Sequence, residues 1–151
     1  MKADLRIAKK EDFEALFDLE KICFKEETFN KNQLRYLLQK ARSLVLVASI
    51  DGRIIGSMIV LLRSTIHHAR IYSLNVHPDF RRKGLASLLM DTSLEFLKKR
   101  DFKKLTLEVG ITNKAAQNLY LSKGFSVDKV LRKYYKNGDD ALHLIKDLRE
   151  H

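Results

Sequence analysis

The chain of 151 residues contains one cysteine, one proline and no tryptophan. A single thiol, Cys23, excludes a disulfide within the chain, and its apolar neighbours indicate a buried small side chain rather than a nucleophile. No apolar run reaches the roughly 20 residues that a membrane helix requires. Because a cleavable signal pattern is also missing, we expect a cytoplasmic protein with no membrane partner.

Metal-ligand spacing and internal repeats are absent too. The five histidines show no ligating pattern, so we predict no metal; they are His67, His68, His77, His143 and His151. Linkers and low-complexity tracts are missing. A length of 151 residues suits one domain, and we expect residues 1–151 to form it.

Basic residues outnumber acidic ones, 29 to 19, which gives a formal net charge of +10. The excess favours anionic partners, namely nucleotide cofactors, nucleic acid or acidic peptides, without selecting among them. The basic clusters at residues 81–83 and 98–100 suggest a nucleic-acid-binding module as one interpretation. Against it, aromatic residues do not alternate with the basic ones, as a stacking surface requires.

The most informative stretch is residues 76–86, where a strand stops and a long helix begins. Pro78 ends the strand because it lacks an N–H donor. Gly84 opens the helix, whose unpaired first-turn amides would point toward the basic residues 81–83. Such a turn binds phosphate; the alternative is a solvated basic turn that caps an amphipathic helix. The sequence contains neither a P-loop nor a dinucleotide glycine fingerprint.

Hydrophobic periodicity predicts seven strands and four helices in the order β, α, α, β, β, β, α, β, α, β, β, which is a mixed α/β architecture. The strands are residues 5–8, 44–50, 54–62, 70–76, 104–109, 125–131 and 141–148. The helices begin at Asp12, near Leu34, at Gly84 and at Asn113. In the fourth strand, Tyr72, Leu74 and Val76 alternate with Ile71, Ser73 and Asn75. The third helix has an apolar stripe of Leu85, Leu88, Leu89, Thr92 and Phe96, and the fourth has one of Ala115, Ala116, Leu119 and Tyr120.

Three residues near the second half of the chain add possible chemistry. Glu108 alternates with leucines and valine, which predicts a carboxylate on the opposite face of its strand; otherwise it is an exposed edge glutamate. Asn113 starts a helix, where capping is the default and ligand contact the alternative. Tyr120 lies on an inward stripe, a position more typical of the core than of catalysis. These elements would converge where parallel strands part.

An isolated aromatic residue, Phe29, stands in the charged segment 25–31. It either folds back on the core, which is the default interpretation, or lines an acceptor pocket between the first two helices.

Together these motifs resemble the GNAT acetyltransferases. Arg81-x-x-Gly84-x-Ala86 after Val76-His77-Pro78 is similar to the acetyl-CoA motif of that family. Leu107-Glu108-Val109, Asn113, and Asn118-Leu119-Tyr120 before Gly124-Phe125 are similar to its following motif. Tyr134-Tyr135 with Asp140-Ala141 resembles, more narrowly, the RimI-like protein N-terminal acetyltransferases. The resemblance covers nearly the whole chain and is strongest over residues 70–144.

The resemblance implies a central mixed, mostly antiparallel sheet of about seven strands, splayed in the middle and flanked by about four helices. It implies acetyl-CoA as cosubstrate, bound by Leu74, Asn75, Val76, Arg81, Arg82, Lys83, Gly84, Leu85, Ala86, Ser87 and Asn113. Glu108 would be the general base, acting through water, and Tyr120 the acid that reprotonates the thiolate. Phe29, Tyr134 and Tyr135 would frame the acceptor. The chain departs from the pattern at Arg81, where glutamine is common, at Ala86, which replaces a glycine, and in segment 25–31, which lacks a tryptophan.

The expected activity is transfer of an acetyl group to the N-terminal α-amine of a protein or peptide by direct attack on the thioester. Deprotonating an α-amine at pH 7 costs about 1.4 kcal/mol, against about 4.6 kcal/mol for a lysine. The alternative within the enzyme class is a small-amine or lysine side-chain acetyltransferase. We also expect a ribosomal protein as a possible acceptor, ribosome or nucleic-acid contact through the basic surface, and a monomer or weak dimer.

Overall fold

A computed structural model describes residues 2–24, 31–39 and 42–149, with the side chain of Phe24 excepted. The seven strands are β1 (Asp4–Ile7), β2 (Ser43–Ile50), β3 (Arg53–Arg63), β4 (His68–Val76), β5 (Lys104–Gly110), β6 (Ser126–Leu131) and β7 (Ala141–Asp147). Within the described residues there are four α-helices, namely α1 (Phe13–Phe24), α2 (Lys31–Gln39), α3 (Leu85–Lys99) and α4 (Lys114–Ser122). The predicted order of elements is therefore confirmed.

The strands form one sheet in the order β1-β2-β3-β4-β5-β7-β6. Neighbouring strands run antiparallel except β4 and β5, which are parallel. This parallel pair is joined only by His68 with Lys104, Ala69 with Leu105 and Arg70 with Thr106. Beyond these pairs, residues 71–76 of β4 and 107–110 of β5 separate, and we call the space between them the β4–β5 gap. The predicted mixed, mostly antiparallel sheet with a splayed middle is confirmed.

Helices cover both faces of the sheet and bury two apolar clusters. On one face, α3 and α4 pack over the larger cluster, which includes Leu89, Leu97 and Leu107. On the other face, α1 and α2 cover a smaller cluster with Phe13, Leu16, Leu34 and Leu37. Each fully buried side chain of this size contributes about 1.5–3 kcal/mol. The two clusters hold the helices on opposite sides of the β4–β5 gap.

A bulge in β4 breaks the alternation predicted for this strand. Ile59 pairs with Ser73 but Val60 pairs with Ile71, so Tyr72 is an extra residue. As a result Ile71 lies in the α3 cluster, whereas Tyr72 packs in the α1 cluster. The prediction that Tyr72 shares a face with Leu74 and Val76 is therefore wrong, because one inserted residue reverses the side-chain parity of a strand.

The predicted helix stripes also need correction. In α3, Leu85, Leu89, Met90, Ser93, Leu94 and Leu97 are buried, whereas Leu88 is 43% exposed. Helical spacing is compatible with a buried face that includes Leu88 and with one that excludes it. Packing against the sheet buries the face that excludes Leu88. In α4, Ala115, which was part of the predicted stripe, is exposed, whereas Gln117, which was not part of it, is buried.

In the described part of the chain, no helix is long and apolar enough to cross a membrane. The same residues contain no group of three or more histidine, cysteine, aspartate or glutamate side chains that could hold a metal ion. The prediction of no metal, which rests on the spacing of the histidines, stays a prediction.

Candidate functional site

The turn before α3 has the backbone geometry of an anion-binding loop. After β4, a short 3-10 helix, Pro78–Phe80, leads into residues 81–84. Arg82 and Gly84 both adopt the left-handed region, with φ of 63° and 80°. No side chain caps the first turn of α3. The amides at its start therefore remain available to an anion, as the sequence predicted.

Gly84 is required by backbone conformation and leaves open space beside it. A Cβ added at this position would meet no protein atom within 4 Å. A non-glycine residue at φ 80° would nevertheless be strained. The space beside Gly84 is therefore open to another molecule.

Arg81 is an exposed residue whose guanidinium also contacts the end of β4. Its Nε donates to the carbonyl oxygen of Val76 at 3.1 Å. The Sγ of Cys23, on α1, lies 3.6 Å from the same oxygen. Burial raises the pKa of the Cys23 thiol, which keeps it protonated at neutral pH. These contacts fix the strand end at which the β4–β5 gap opens.

Asn75 links β4 to α1 through a buried hydrogen bond. Its Nδ2 donates to Oε2 of Glu20 at 2.7 Å, and both side chains are buried. Burial raises the pKa of Glu20 to about 7, although the bond from Asn75 opposes this. The Nδ2 group of Asn75 is thus occupied, whereas its Oδ1 is buried without a hydrogen-bond partner among the described residues. The main chain of Asn75, with those of Leu74 and Val76, borders the gap.

Glu108 lies on the face of β5 opposite its leucines, as predicted, but it is not an exposed edge residue. Leu105, Leu107 and Val109 belong to the α3 cluster. The Glu108 side chain is 10% exposed and points to the other face, where its Oε1 accepts from Arg70 Nε at 2.7 Å. Nδ1 of His143 lies 2.8 Å from Oε2.

Tyr120 lies on α4 in the cluster that contains the β5 leucines. Its ring packs edge-on against Phe125, with centroids 5.7 Å apart. Burial raises the pKa of Tyr120 to about 12, with a smaller contribution from Tyr135. The phenol therefore stays protonated across the physiological range. Glu108 and Tyr120 lie on opposite faces of the sheet.

Two residues connect α4 to the end of β5. Asn113 caps α4, with its Oδ1 accepting from the amide of Ala116 at 3.2 Å. Gln117 bonds through Nε2 to the carbonyl oxygens of Gly110 and Ile111, at 2.8 and 3.0 Å. The capping role that is the default for Asn113 is present, and Gln117 fixes Tyr120 relative to the gap.

The loop between β6 and β7 brings two tyrosines to the site. The hydroxyl of Tyr134 accepts from Arg70 Nη2 at 3.4 Å. Tyr135 lies against Gly110, with its Cε2 3.7 Å from the position of an added Cβ. The two rings meet edge-to-face at 5.1 Å. Phe29, the third predicted acceptor residue, lies outside the described residues.

Sequence reasoning missed four side chains of the site, namely Arg70, His143, Glu20 and Gln117. Arg70 and His143 hold Glu108 from separations of 38 and 35 residues. Strand parity places each on one of two faces, but only the strand order brings them together. A buried glutamate on α1 had no local signal. A pocket of about 260 Å³ adjoins Glu108, lined by Leu61, Arg63, Ile66, His68, Ala69, Arg70, Thr106 and His143.

The turn at Gly84 fits the pyrophosphate of acetyl-CoA. It combines uncapped amides, open space at a left-handed glycine and three adjacent cations. Residues 82–87 would hold the phosphates. The main chain of residues 74–76 would hold the arm that carries the acyl group, because this edge of β4 has lost its β5 partner.

Comparison with known proteins gives consistent matches. Residues 13–125 match the acetyltransferase (GNAT) family. A Bacillus subtilis protein proposed to be a ribosomal protein bS18-alanine N-acetyltransferase is 28% identical over 142 residues, 93% of each chain. N-alpha-acetyltransferase 30 of Schizosaccharomyces pombe is 32% identical over 122 residues, 79% of this chain and 81% of that protein. The crystal structure of the ribosomal-protein-S18-alanine N-acetyltransferase from Escherichia coli matches with a TM-score of 0.91 at 24% identity, over 99% of this chain and 96% of that chain. The two share the fold.

Proposed function

Because the chain belongs to the GNAT acetyltransferase family, we propose that it transfers the acetyl group of acetyl-CoA to the N-terminal α-amine of a protein or peptide. The family and the acyltransferase activity predicted from the motifs are confirmed. The names of the relatives support the choice of an α-amine, and alanine-initiated ribosomal protein termini are the first acceptors to test.

One observation carries the proposal, namely the position of the Tyr134–Tyr135 loop, which lies against Arg70, the partner of Glu108, and against Gly110 at the end of β5. Tyr134 contacts Arg70, which holds Glu108, and Tyr135 contributes to the pKa of Tyr120. An acceptor that approaches the gap from this side meets two phenol groups. Hydroxyls can bond the backbone of a peptide's first residues, which a polyamine does not possess.

Acetyl-CoA, when bound, supplies an acyl group that its thioester already activates. The residues of this chain then need to orient a neutral amine and manage two protons. Glu108 accepts the proton of the α-ammonium, acting through water. The second proton, which the nitrogen loses as the new C–N bond forms and the C–S bond breaks, passes to the departing sulfur, so that CoA leaves as a thiol. Residues 82–87 and 74–76, with Asn113, hold the cosubstrate on the other side of the gap.

Tyr120 is the hydrogen-bond donor to the leaving sulfur. With a pKa of about 12, its phenol is a weaker acid than a thiol, whose pKa is near 8.5. Complete transfer of its proton to a thiolate is therefore unfavourable, whereas donation of a hydrogen bond stabilises the developing charge. The family resemblance implies that Tyr120 is an acid that reprotonates the thiolate; we propose instead that it donates a hydrogen bond to the sulfur without transferring its proton.

The test uses three peptides of one alanine-initiated sequence with a single internal lysine. One has both amines free, one has its N-terminus acetylated, and one has its lysine acetylated. After incubation with acetyl-CoA, tandem mass spectrometry locates the new acetyl group. We expect modification at the α-amine of the first and third peptides only. The Glu108→Gln variant serves as the enzymatic control.

Modification confined to lysine, or spermidine turning over faster than every peptide, would assign the protein to the alternative acceptor class. Even with that outcome, we expect acetyl-CoA to bind, as measured by a thermal shift. Contact with ribosomes or nucleic acid, a cytoplasmic location and a monomer or weak dimer stay predictions from the sequence.

A further inference from the structure

A row of charged side chains crosses four neighbouring strands on the acceptor side of the sheet. In sheet order these are Arg70 on β4, Glu108 on β5, His143 on β7 and Asp128 on β6. Glu108 and His143 are directly opposite in the β5–β7 register. Asp128 is the extra residue of a bulge in β6, which brings its Oδ2 to 3.8 Å from Nε2 of His143. Cationic and anionic groups therefore alternate across the row when His143 is protonated.

Both oxygens of the Glu108 carboxylate are engaged in this row. Oε1 lies 2.7 Å from Nε and 2.6 Å from Nη2 of Arg70. Oε2 lies 2.8 Å from Nδ1 of His143. A carboxylate oxygen offers about two acceptor positions. Two nitrogens of Arg70 lie against Oε1, and Nε is the one that donates a hydrogen bond to it, whereas within the described residues Oε2 is contacted by Nδ1 of His143. The position that is more open to a proton is therefore on Oε2, beside His143.

We infer that Arg70 and His143 are positioning residues that clamp Glu108 so that Oε2 is the oxygen that receives the amine's proton. The inference rests on the proposed role of Glu108 as base. Arg70 fixes the plane of the carboxylate through two nitrogens of a rigid fork, and the Nδ1–H of His143 stops rotation of the second oxygen. General-base catalysis depends first on geometry, and a small misplacement of a reacting group reduces rate strongly.

The test measures kcat and KM for the α-amine peptide in variants of the clamp. His143→Leu removes the donor to Oε2, and we expect kcat to fall about 10- to 100-fold with little change in the KM for acetyl-CoA. His143→Asn retains an N–H donor and should recover most of that loss. In Arg70→Met, kcat should fall by a similar factor. In Arg70→Lys, kcat should stay low, because a lysine keeps the positive charge but not the two nitrogens of the guanidinium fork. Lys104→Met, which removes a cation from the same face of β5, should leave kcat within about twofold.

A double-mutant cycle shows whether these residues act through Glu108. In the Glu108→Gln background, His143→Leu should lower kcat by less than about twofold further, because the group that it positions is already disabled. An equal loss in both backgrounds, or full activity of Arg70→Lys, would overturn the clamp. Wild-type turnover by Glu108→Gln itself would instead refute the proposed base. Thermal unfolding of each variant, with and without acetyl-CoA, verifies that it folds and binds.

Discussion

The two sides of the β4–β5 gap are built from different materials. On the cofactor side, the proposed site consists mainly of main-chain groups from residues 74–76 and 82–87, and it is shaped by Gly84 and by the start of α3. On the acceptor side, it consists of side chains from four strands, with Glu108 bound to partners 38 and 35 residues away. A site of local backbone can be recognised in a sequence, whereas a site of long-range side-chain contacts requires the fold.

This difference suits the two ligands. Phosphate groups are alike in every acyl-CoA, so a rigid backbone turn serves them well. Protein N-termini differ from one another, and side chains can be exchanged one at a time to match them. We therefore expect substitutions on the cofactor side to abolish binding, and those on the acceptor side to alter rate and selectivity.

The largest expected effect is the complete loss of acetyl-CoA binding in Gly84→Val, on the cofactor side. The branched side chain would occupy the open space at this glycine, and the left-handed backbone would be strained. We expect loss of the stabilisation by acetyl-CoA, which is about 2.7 kcal/mol for wild type at a hundredfold excess over Kd. Gly52→Val is the matched control, because Gly52 has the same φ of 80° and the same open surroundings in the β2–β3 turn.

Both variants should lose similar intrinsic stability, measured by urea denaturation without ligand. Only Gly84→Val should lose the thermal shift with acetyl-CoA. A normal shift in Gly84→Val would show that the turn is not the phosphate site.

Next in size is the pH dependence of stability caused by Glu20. Its pKa is raised from 4.5 to about 7 in the folded state, so the folded protein binds this proton more tightly than the unfolded chain. The contribution is fully present below pH 4.5 and is lost as the pH rises through 7, a decrease in the free energy of unfolding of about 3 kcal/mol. Glu20→Gln should remove this decrease, and Glu14→Gln, at an exposed position of the same helix, should retain it.

Urea denaturation at several pH values would measure both curves. Parallel curves for wild type and Glu20→Gln would mean that the carboxyl titrates normally. The Glu20 carboxyl, beside β4, would then be more accessible to water than the structure indicates.

A slightly smaller effect is expected for Tyr120→Phe, which lies between the two sides. The ring keeps its packing against Phe125 but loses the donor to sulfur. We expect kcat to fall about 100-fold, equivalent to about 2.7 kcal/mol, while the thermal shift with acetyl-CoA stays unchanged. Phe125→Leu would perturb the same packing without removing a hydroxyl. Equal losses of kcat in the two variants would assign Tyr120 to packing alone.

The smallest effect belongs to the acceptor loop. Tyr135→Ala removes the ring that lies against Gly110, and we expect the KM for peptide to rise about tenfold with the KM for acetyl-CoA unchanged. Tyr36→Ala, at an exposed tyrosine of α2, is the control. Equal increases in both KM values would contradict a role limited to the acceptor.

Sequence reasoning recovered the fold because its signals were local and repeated. Periodicity gave each strand and helix, Pro78 marked the end of β4, and Gly84 marked the start of α3. It failed at Tyr72, because a bulge leaves no compositional signal, and at Leu88, because two rows of one helix are equally apolar. It placed Glu108 on the correct face of β5. It missed Arg70 and His143, because their contact with Glu108 exists only once β4, β5 and β7 are neighbours.

The short β4–β5 ladder divides the hydrogen bonding of the sheet into two arrays. Strands β1 to β4 form one continuous hydrogen-bonded array, and β5, β7 and β6 form another, with three residue pairs between them. In amide hydrogen exchange, protection should therefore be lowest along this seam and highest inside each array. A ligand that binds in the gap and contacts both arrays would slow amide exchange in residues 71–76 and 107–110 together. The binding of one small molecule would thus be reported by amides on both arrays at once.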